Sequence, residues 1–204
     1  MNCVIDELYF GGTRVRFIQG KPLEHLSAGI YAGANAQGVM GAGLAADIRR
    51  VAGAEVEREL RGHNDLSVGE AYLTGPGQLA QHGVTAIAHG VVVMAPGEIA
   101  TLDRSVRALL AGLRLLEEAG CRSVTVPEIG WRVSNLDPTV AAIELGRVVI
   151  THLRRKSRLE LVSIVSTHRE YLKAVAMSCE RHAQVRGLAD AADGGGSSGG
   201  SNRG

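Results

Sequence analysis

The stretch AGANAQGVMGAGLAADIRRVAG, Ala32 to Gly53, decides how the rest of the chain is read. It continues a short apolar strand around Ile30 to Ala32, passes through Gly38, Gly41 and Gly43, and ends in residues with helical spacing. Three glycines within six residues let backbone N–H groups converge without obstruction by Cβ atoms. A helix starting just beyond them adds the positive end of its dipole, so a phosphate suits the loop. A glycine loop between strand and helix also serves as a plain tight turn, and the string alone does not separate the two readings.

Working outward, Val4 to Phe10 and Thr13 to Ile18 are rich in β-branched and aromatic residues and flank Gly11-Gly12, which predicts an opening hairpin. On the other side, Leu44 to Leu60 has helical spacing interrupted at Gly53, and Glu70 to Thr74 and Val84 to Met94 read as strands. Leu102 to Ala119 repeats leucine and valine at three- and four-residue intervals, with Gly120 as its stop. A strand at Val124 to Val126, a helix near Val140 to Leu153, a strand at Glu160 to Val165 and a helix from about Arg169 complete the order. Strands alternating with helices predict an α/β fold, a three-layer α/β/α sandwich around a mixed central sheet.

The chain has 204 residues, 45% hydrophobic and 21% charged, which matches one globular domain over residues 1–190. Residues 191–204, AADGGGSSGGSNRG, have too few apolar side chains to repay the entropy of ordering and are expected to form a disordered tail. The formal net charge of +1 does not indicate nucleic acid as a partner, and Arg154, Arg155, Lys156 and Arg158 read as a solvated helix end. Cys3, Cys121 and Cys179 are widely spaced and odd in number, as expected for free thiols in a reducing compartment. Asp6 and Glu7 interrupt the apolar amino terminus, and no uncharged run approaches bilayer length, so a cytoplasmic location with no membrane partner is expected. The histidines and cysteines lack the spacing of a zinc site, and no metal or resident cofactor is expected.

Ala32 to Gly53 resembles the macro-domain signature, an alanine/asparagine-rich strand end, a glycine-rich loop and an Ile-x-Arg-x-Ala-Gly helix. The resemblance extends through Val68-Gly69-Glu70-Ala71 and Thr74-Gly75, Ile87-Ala88-His89-Gly90, and SVTVPEI at Ser123 to Ile129. It implies a cleft for ADP-ribose or a related nucleotide, free or carried on an ADP-ribosylated macromolecule. In that cleft Asn35 faces the distal ribose, and Gly38, Val39, Met40, Gly41, Ala42, Gly43 and Leu44 wrap the diphosphate. Gly130, Trp131, Arg132, Val133, Ser134 and Asn135 close the other side. An asparagine amide both donates and accepts, which suits vicinal hydroxyls, but Asn35 equally suits a turn or cap.

Several positions depart from the family. Lys21, in FIQGKPLEHL, replaces the aspartate that accepts from the adenine amino group, which a lysine cannot do. Losing one charge-assisted hydrogen bond costs about 1.5–3 kcal/mol, roughly ten- to a hundredfold in affinity, unless a residue such as Glu24 replaces it. The hydrolase branch places a water-orienting aspartate ten residues after the loop asparagine, where this chain has Ala45. Asp47 is close in sequence and is the catalytic candidate, but two helical positions turn it away by roughly 200°. Lys21, Lys156 and Lys173 all lie outside the glycine loop and its helix, so a lysine nucleophile is poorly supported.

The second loop reads GWRVSNLDP in place of the family's Ser-Thr-Gly pattern. There Trp131 suits ring stacking or a structural plug, and Arg132 suits a phosphate or plain solvent exposure. His89 reads as a packed strand-end histidine. The expectation is a reader of ADP-ribose or a related nucleotide diphosphate with weak or no hydrolase activity. An ADP-ribosyl hydrolase or deacylase with an unusual catalytic residue is the alternative, and an interaction domain without ligand is a third reading.

Overall fold

The computed structural model describes residues 3–129 and 137–193, with side chains to residue 184. Gly130, Trp131, Arg132, Val133, Ser134 and Asn135 lie outside the described residues. The chain opens with the expected hairpin, β1 (Cys3–Phe10) antiparallel to β2 (Thr13–Gln19). It continues through β3 (Gly29–Asn35), α1 (Gly43–Ala52), α2 (Ala54–Gly62), β4 (Ala71–Thr74), β5 (Ala86–Val93) and α3 (Leu102–Glu118). Then come β6 (Ser123–Pro127), α4 (Pro138–Leu153), β7 (Leu161–Ser166) and α5 (Arg169–Asp193). The last helix therefore takes in residues 191–193, three residues into the segment whose composition predicts a tail.

Local chemistry sets the helix ends. Thr101 caps α3 by accepting from the Arg104 N–H, and Asp137 caps α4 by accepting from the Thr139 N–H at 2.7 Å with Pro138 following. Between α1 and α2 the chain breaks at Gly53, whose φ of 104° is closed to residues with a side chain. The helical pattern from Leu44 to Leu60 is thus two helices joined at a non-helical Gly53.

All seven strands join one sheet in the order β1-β2-β7-β6-β3-β5-β4. The five central strands run parallel, and β1 and β4 pair antiparallel at the edges. Because side chains alternate along a strand, β3 feeds both faces. Ile30 and Ala32 join Ile87 and Val91 of β5 under Ile48 and Ala52 of α1 and Val56 and Leu60 of α2. Tyr31 faces the opposite way, with Ala86 and Ala88, beneath a core built from α3, α4 and α5. Helices on both faces of a mixed sheet give the expected three-layer sandwich.

The carboxyl ends of β2, β7, β6, β3 and β5 all reach the same edge of the sheet. From β3 the chain moves to β5 on one side and then returns to β6 on the other, so the direction of winding reverses at β3. Ligands of such sheets gather at the carboxyl ends beside that reversal. Here the pairing itself opens there. β3 matches β5 along its whole length, Gly29↔Ala86 to Asn35↔Val93, but matches β6 only at Gly29↔Val124 and Ile30↔Thr125.

Candidate functional site

Asn35 ends β3 at this opening and is buried. Its Nδ2 donates to the Val39 carbonyl at 2.8 Å, and its Oδ1 accepts from the N–H groups of Gln37 and Val39, each at 3.2 Å. The side chain therefore braces the first turn of its own loop. Gly38 follows with φ of +66°, its N–H donating to the Asn35 carbonyl at 2.9 Å. A Cβ on Gly38 would come within 2.7 Å of Arg61 Cγ, so both backbone and space require glycine.

Beyond this turn the loop divides into an anchored half and an open half. Met40 is buried in the core beneath the sheet, and Val39 is half-buried. Gly41, Ala42 and Gly43 are exposed, and Leu44 is half-buried in the first turn of α1. Ala42 occupies the N-cap position and offers no side-chain hydrogen bond, and the first turn holds no acidic residue. The N–H groups that open a helix have no intrahelical acceptor, so this exposed start carries unspent donors and a partial positive charge.

Ala45 is half-buried in that first turn, whereas Asp47 is exposed and pairs with Arg50 at 3.2 Å along the outer surface. Among the described residues, the Asp47 side-chain hydrogen bond goes to Arg50 and not to the loop. Lys21 and Glu24 are both exposed just past the end of β2, Lys21 at the N-cap and Glu24 ending a short 3-10 turn, Pro22–Glu24. His89 is fully buried in β5, its Nε2 lying 2.9 Å from Thr74 Oγ1. Burial, and then the charge of nearby His63, push its imidazole down to about 4, which keeps it neutral and structural.

A polar cluster at the same edge was not singled out from sequence. Glu128, just after β6, accepts from Ser166 Oγ at the end of β7, and His168 Nδ1 lies 3.1 Å from the same carboxylate oxygen. Ser166 also accepts from the His168 N–H at 2.8 Å. These residues meet because β6 and β7 are neighbours in parallel register, Pro127↔Val165. Nothing in their sequence spacing signals this.

The basic run after α4 is partly tied down. Arg154 donates to the His182 carbonyl and sits 5.9 Å from the Phe10 ring centroid, and Arg158 Nη2 donates to the Glu117 carbonyl at 3.0 Å. Cys121 and Cys179 are buried free thiols and Cys3 is exposed. Among the described residues no three His, Cys, Asp or Glu side chains are grouped to hold a metal ion, and no helix is long and apolar enough to cross a membrane.

Comparison with known proteins matches this architecture. Over 89% of this chain and 97% of its own length, the Oceanobacillus iheyensis macrodomain with ADP superposes with a TM-score of 0.74 at 18% identity. The Trypanosoma brucei macrodomain in complex with ADP-ribose superposes with a TM-score of 0.68 at 20% identity, covering 81% of this chain and 68% of that one. In sequence, the chain is 29% identical over 162 residues to an uncharacterized protein of Aquifex aeolicus (strain VF5), covering 78% of this chain and 94% of that protein. An uncharacterized protein of Aeropyrum pernix is 34% identical over 111 residues, 54% of this chain and 57% of that protein. The Macro domain family model matches residues 32–145, which takes in the glycine loop, both helices beneath the sheet and the strands beside them. With its mixed sheet, its glycine loop at the carboxyl end of β3 and this match over more than half its length, the chain belongs to the macro-domain family.

Proposed function

We propose that this macro domain binds ADP-ribose or a related nucleotide diphosphate on residues 35–44, as a reader with little or no hydrolase activity. The observation that carries the reading is the uncapped, exposed start of α1, placed by a rigid turn at the sheet edge where β3 and β6 part. A diphosphate laid across Gly41, Ala42, Gly43 and Leu44 accepts from backbone N–H groups and lies on the positive end of the helix. Macrodomain structures holding ADP or ADP-ribose share this fold.

The reader assignment rests on the residues near the loop. Ala45 cannot orient or deprotonate a water, and Asp47 is engaged with Arg50 on the outer surface. Base recognition must also differ from the usual arrangement, because Lys21 accepts no hydrogen bond. Glu24 and Glu128 are among the carboxylates at that edge, the latter held by Ser166 and His168.

Calorimetric titration with ADP-ribose, ADP, NAD and a non-adenine nucleoside diphosphate tests the reading. The expected result is ADP-ribose binding in the range of tens to hundreds of micromolar, weakened by the missing adenine contact. Tighter binding of a non-adenine nucleotide would reassign the base. No heat at millimolar ligand, with the protein folded, would leave an interaction domain as the better reading.

A further inference from the structure

The glycine loop is held from below by α2. The buried Met40 side chain packs in the cluster that includes Val56 and Leu60, and its N–H donates to Glu57 Oε1 at 2.8 Å. The other carboxylate oxygen of Glu57 lies 2.6 Å from Arg49 Nε, so this one group joins the loop to both α1 and α2. Its side chain is only 16% exposed. A turn further along α2, Arg61 lies against Gly38, where a Cβ would meet Arg61 Cγ at 2.7 Å. Positions 57 and 61 are four apart and share one helix face, so a single surface of α2 supports the loop at two points.

We infer that Glu57 is the positioning residue of the ligand loop, fixing Met40 so that the N–H groups of the following residues are already aimed when an anion arrives. The inference rests on the reading of residues 35–44 as a phosphate-binding loop. Its physical basis is preorganisation. Donors held in place before binding cost less ordering entropy on association, and the Met40 N–H, once deprived of its acceptor, is left unpaired in a buried setting. The same bond, then the charge of Arg49 and Arg61, hold the Glu57 carboxyl below the ordinary glutamate range although burial opposes this, so it stays an acceptor near neutral pH.

Glu59 supplies an internal control. It is on the same helix and accepts from the Gly75 N–H at 2.9 Å, away from the ligand loop. The experiment measures ADP-ribose affinity by calorimetry and amide hydrogen exchange in the full chain, for wild type, Glu57→Leu, Glu57→Gln and Glu59→Leu. Glu57→Leu is expected to bind about tenfold more weakly and to exchange faster at Met40 and Gly41. Glu57→Gln, whose amide oxygen still accepts from Met40, should recover most of the affinity. Glu59→Leu should bind as wild type even if its Tm falls as far. If Glu57→Leu does not fold, Glu57→Asp makes the same comparison, because its shorter side chain keeps the charge but withdraws the acceptor. Wild-type affinity in a folded Glu57→Leu or Glu57→Asp, or equal weakening in Glu59→Leu, overturns the inference. A wild-type protein that does not bind ADP-ribose overturns the reading of the site itself, and the exchange measurements then still decide whether Glu57 holds the loop.

Discussion

Asn35 and Val39 are joined twice, the Asn35 amide donating to the Val39 carbonyl at 2.8 Å and accepting the Val39 N–H at 3.2 Å. Four residues apart, they close the turn that delivers the chain to Met40, so the asparagine shapes the loop whatever else it touches. Asn35→Ala is expected to weaken ADP-ribose binding about tenfold or more and to raise amide exchange at Val39. Asn35→Asp keeps the acceptor for Gln37 and Val39 but loses the donor, and should fall between. Unchanged affinity in Asn35→Ala would place the ligand elsewhere.

Ala45 makes catalysis testable by gain of function. A positioned acid or base contributes about 10²–10⁴-fold, so wild type should release little ADP-ribose from aspartyl- or glutamyl-linked protein. Ala45→Asp introduces a carboxylate in the half-buried first turn of α1 and is expected to raise that turnover. Brisk wild-type turnover would instead support the hydrolase reading and redirect attention from Ala45 to another group.

His89 predicts a specific acid sensitivity. Its folded value, lowered from 6.5 to about 4, means that the unfolded chain binds the proton more readily. Stability from this group is therefore complete above about pH 6.5 and is lost as pH falls toward 4, by about 3 kcal/mol in total. Denaturant unfolding across that window should show the decline, and His89→Gln should flatten it even if its stability at pH 7 is lower. An equal slope in wild type and variant would mean that other groups govern the acid response.

Tyr31 occupies space that only glycine leaves open. A Cβ at Gly112 on α3 would come within 2.7 Å of the Tyr31 ring, so the ring lets helix and sheet approach no further. Gly112→Ala is expected to cost about 1–3 kcal/mol by overpacking. Adding Tyr31→Leu should recover part of that loss, giving a non-additive double-mutant cycle. Strict additivity of the two changes would show that the clash is relieved by backbone movement instead.

Much of this protein was legible in its sequence because the governing effects are local. Alternation marked the strands, three- and four-residue spacing marked α3, and Gly53 marked a helix break, since each reports backbone geometry over a few residues. Strand β3 runs three residues beyond its expected end at Ala32, because β5 pairs with it as far as Asn35. Local glycine chemistry likewise placed a loop between β3 and α1 and left Asn35 with a turn role or a ligand role. The structure shows the turn contacts directly.

Tertiary structure alone decided what surrounds that loop. Met40 and Glu57 are 17 residues apart, Glu128 and Ser166 are 38 apart, and Tyr31 of β3 meets Gly112 of α3 where the helix packs on the sheet. No periodicity encodes such pairs, because they depend on which strands become neighbours and on how two helices pack beneath them. The parting of β3 from β6 after two matched positions is of the same kind. Sequence determined that a glycine loop would meet a helix there. Packing determined that α2 would hold it and that the sheet would open beside it, since strand order and helix contacts are set by burial of the whole apolar surface and not by any one segment.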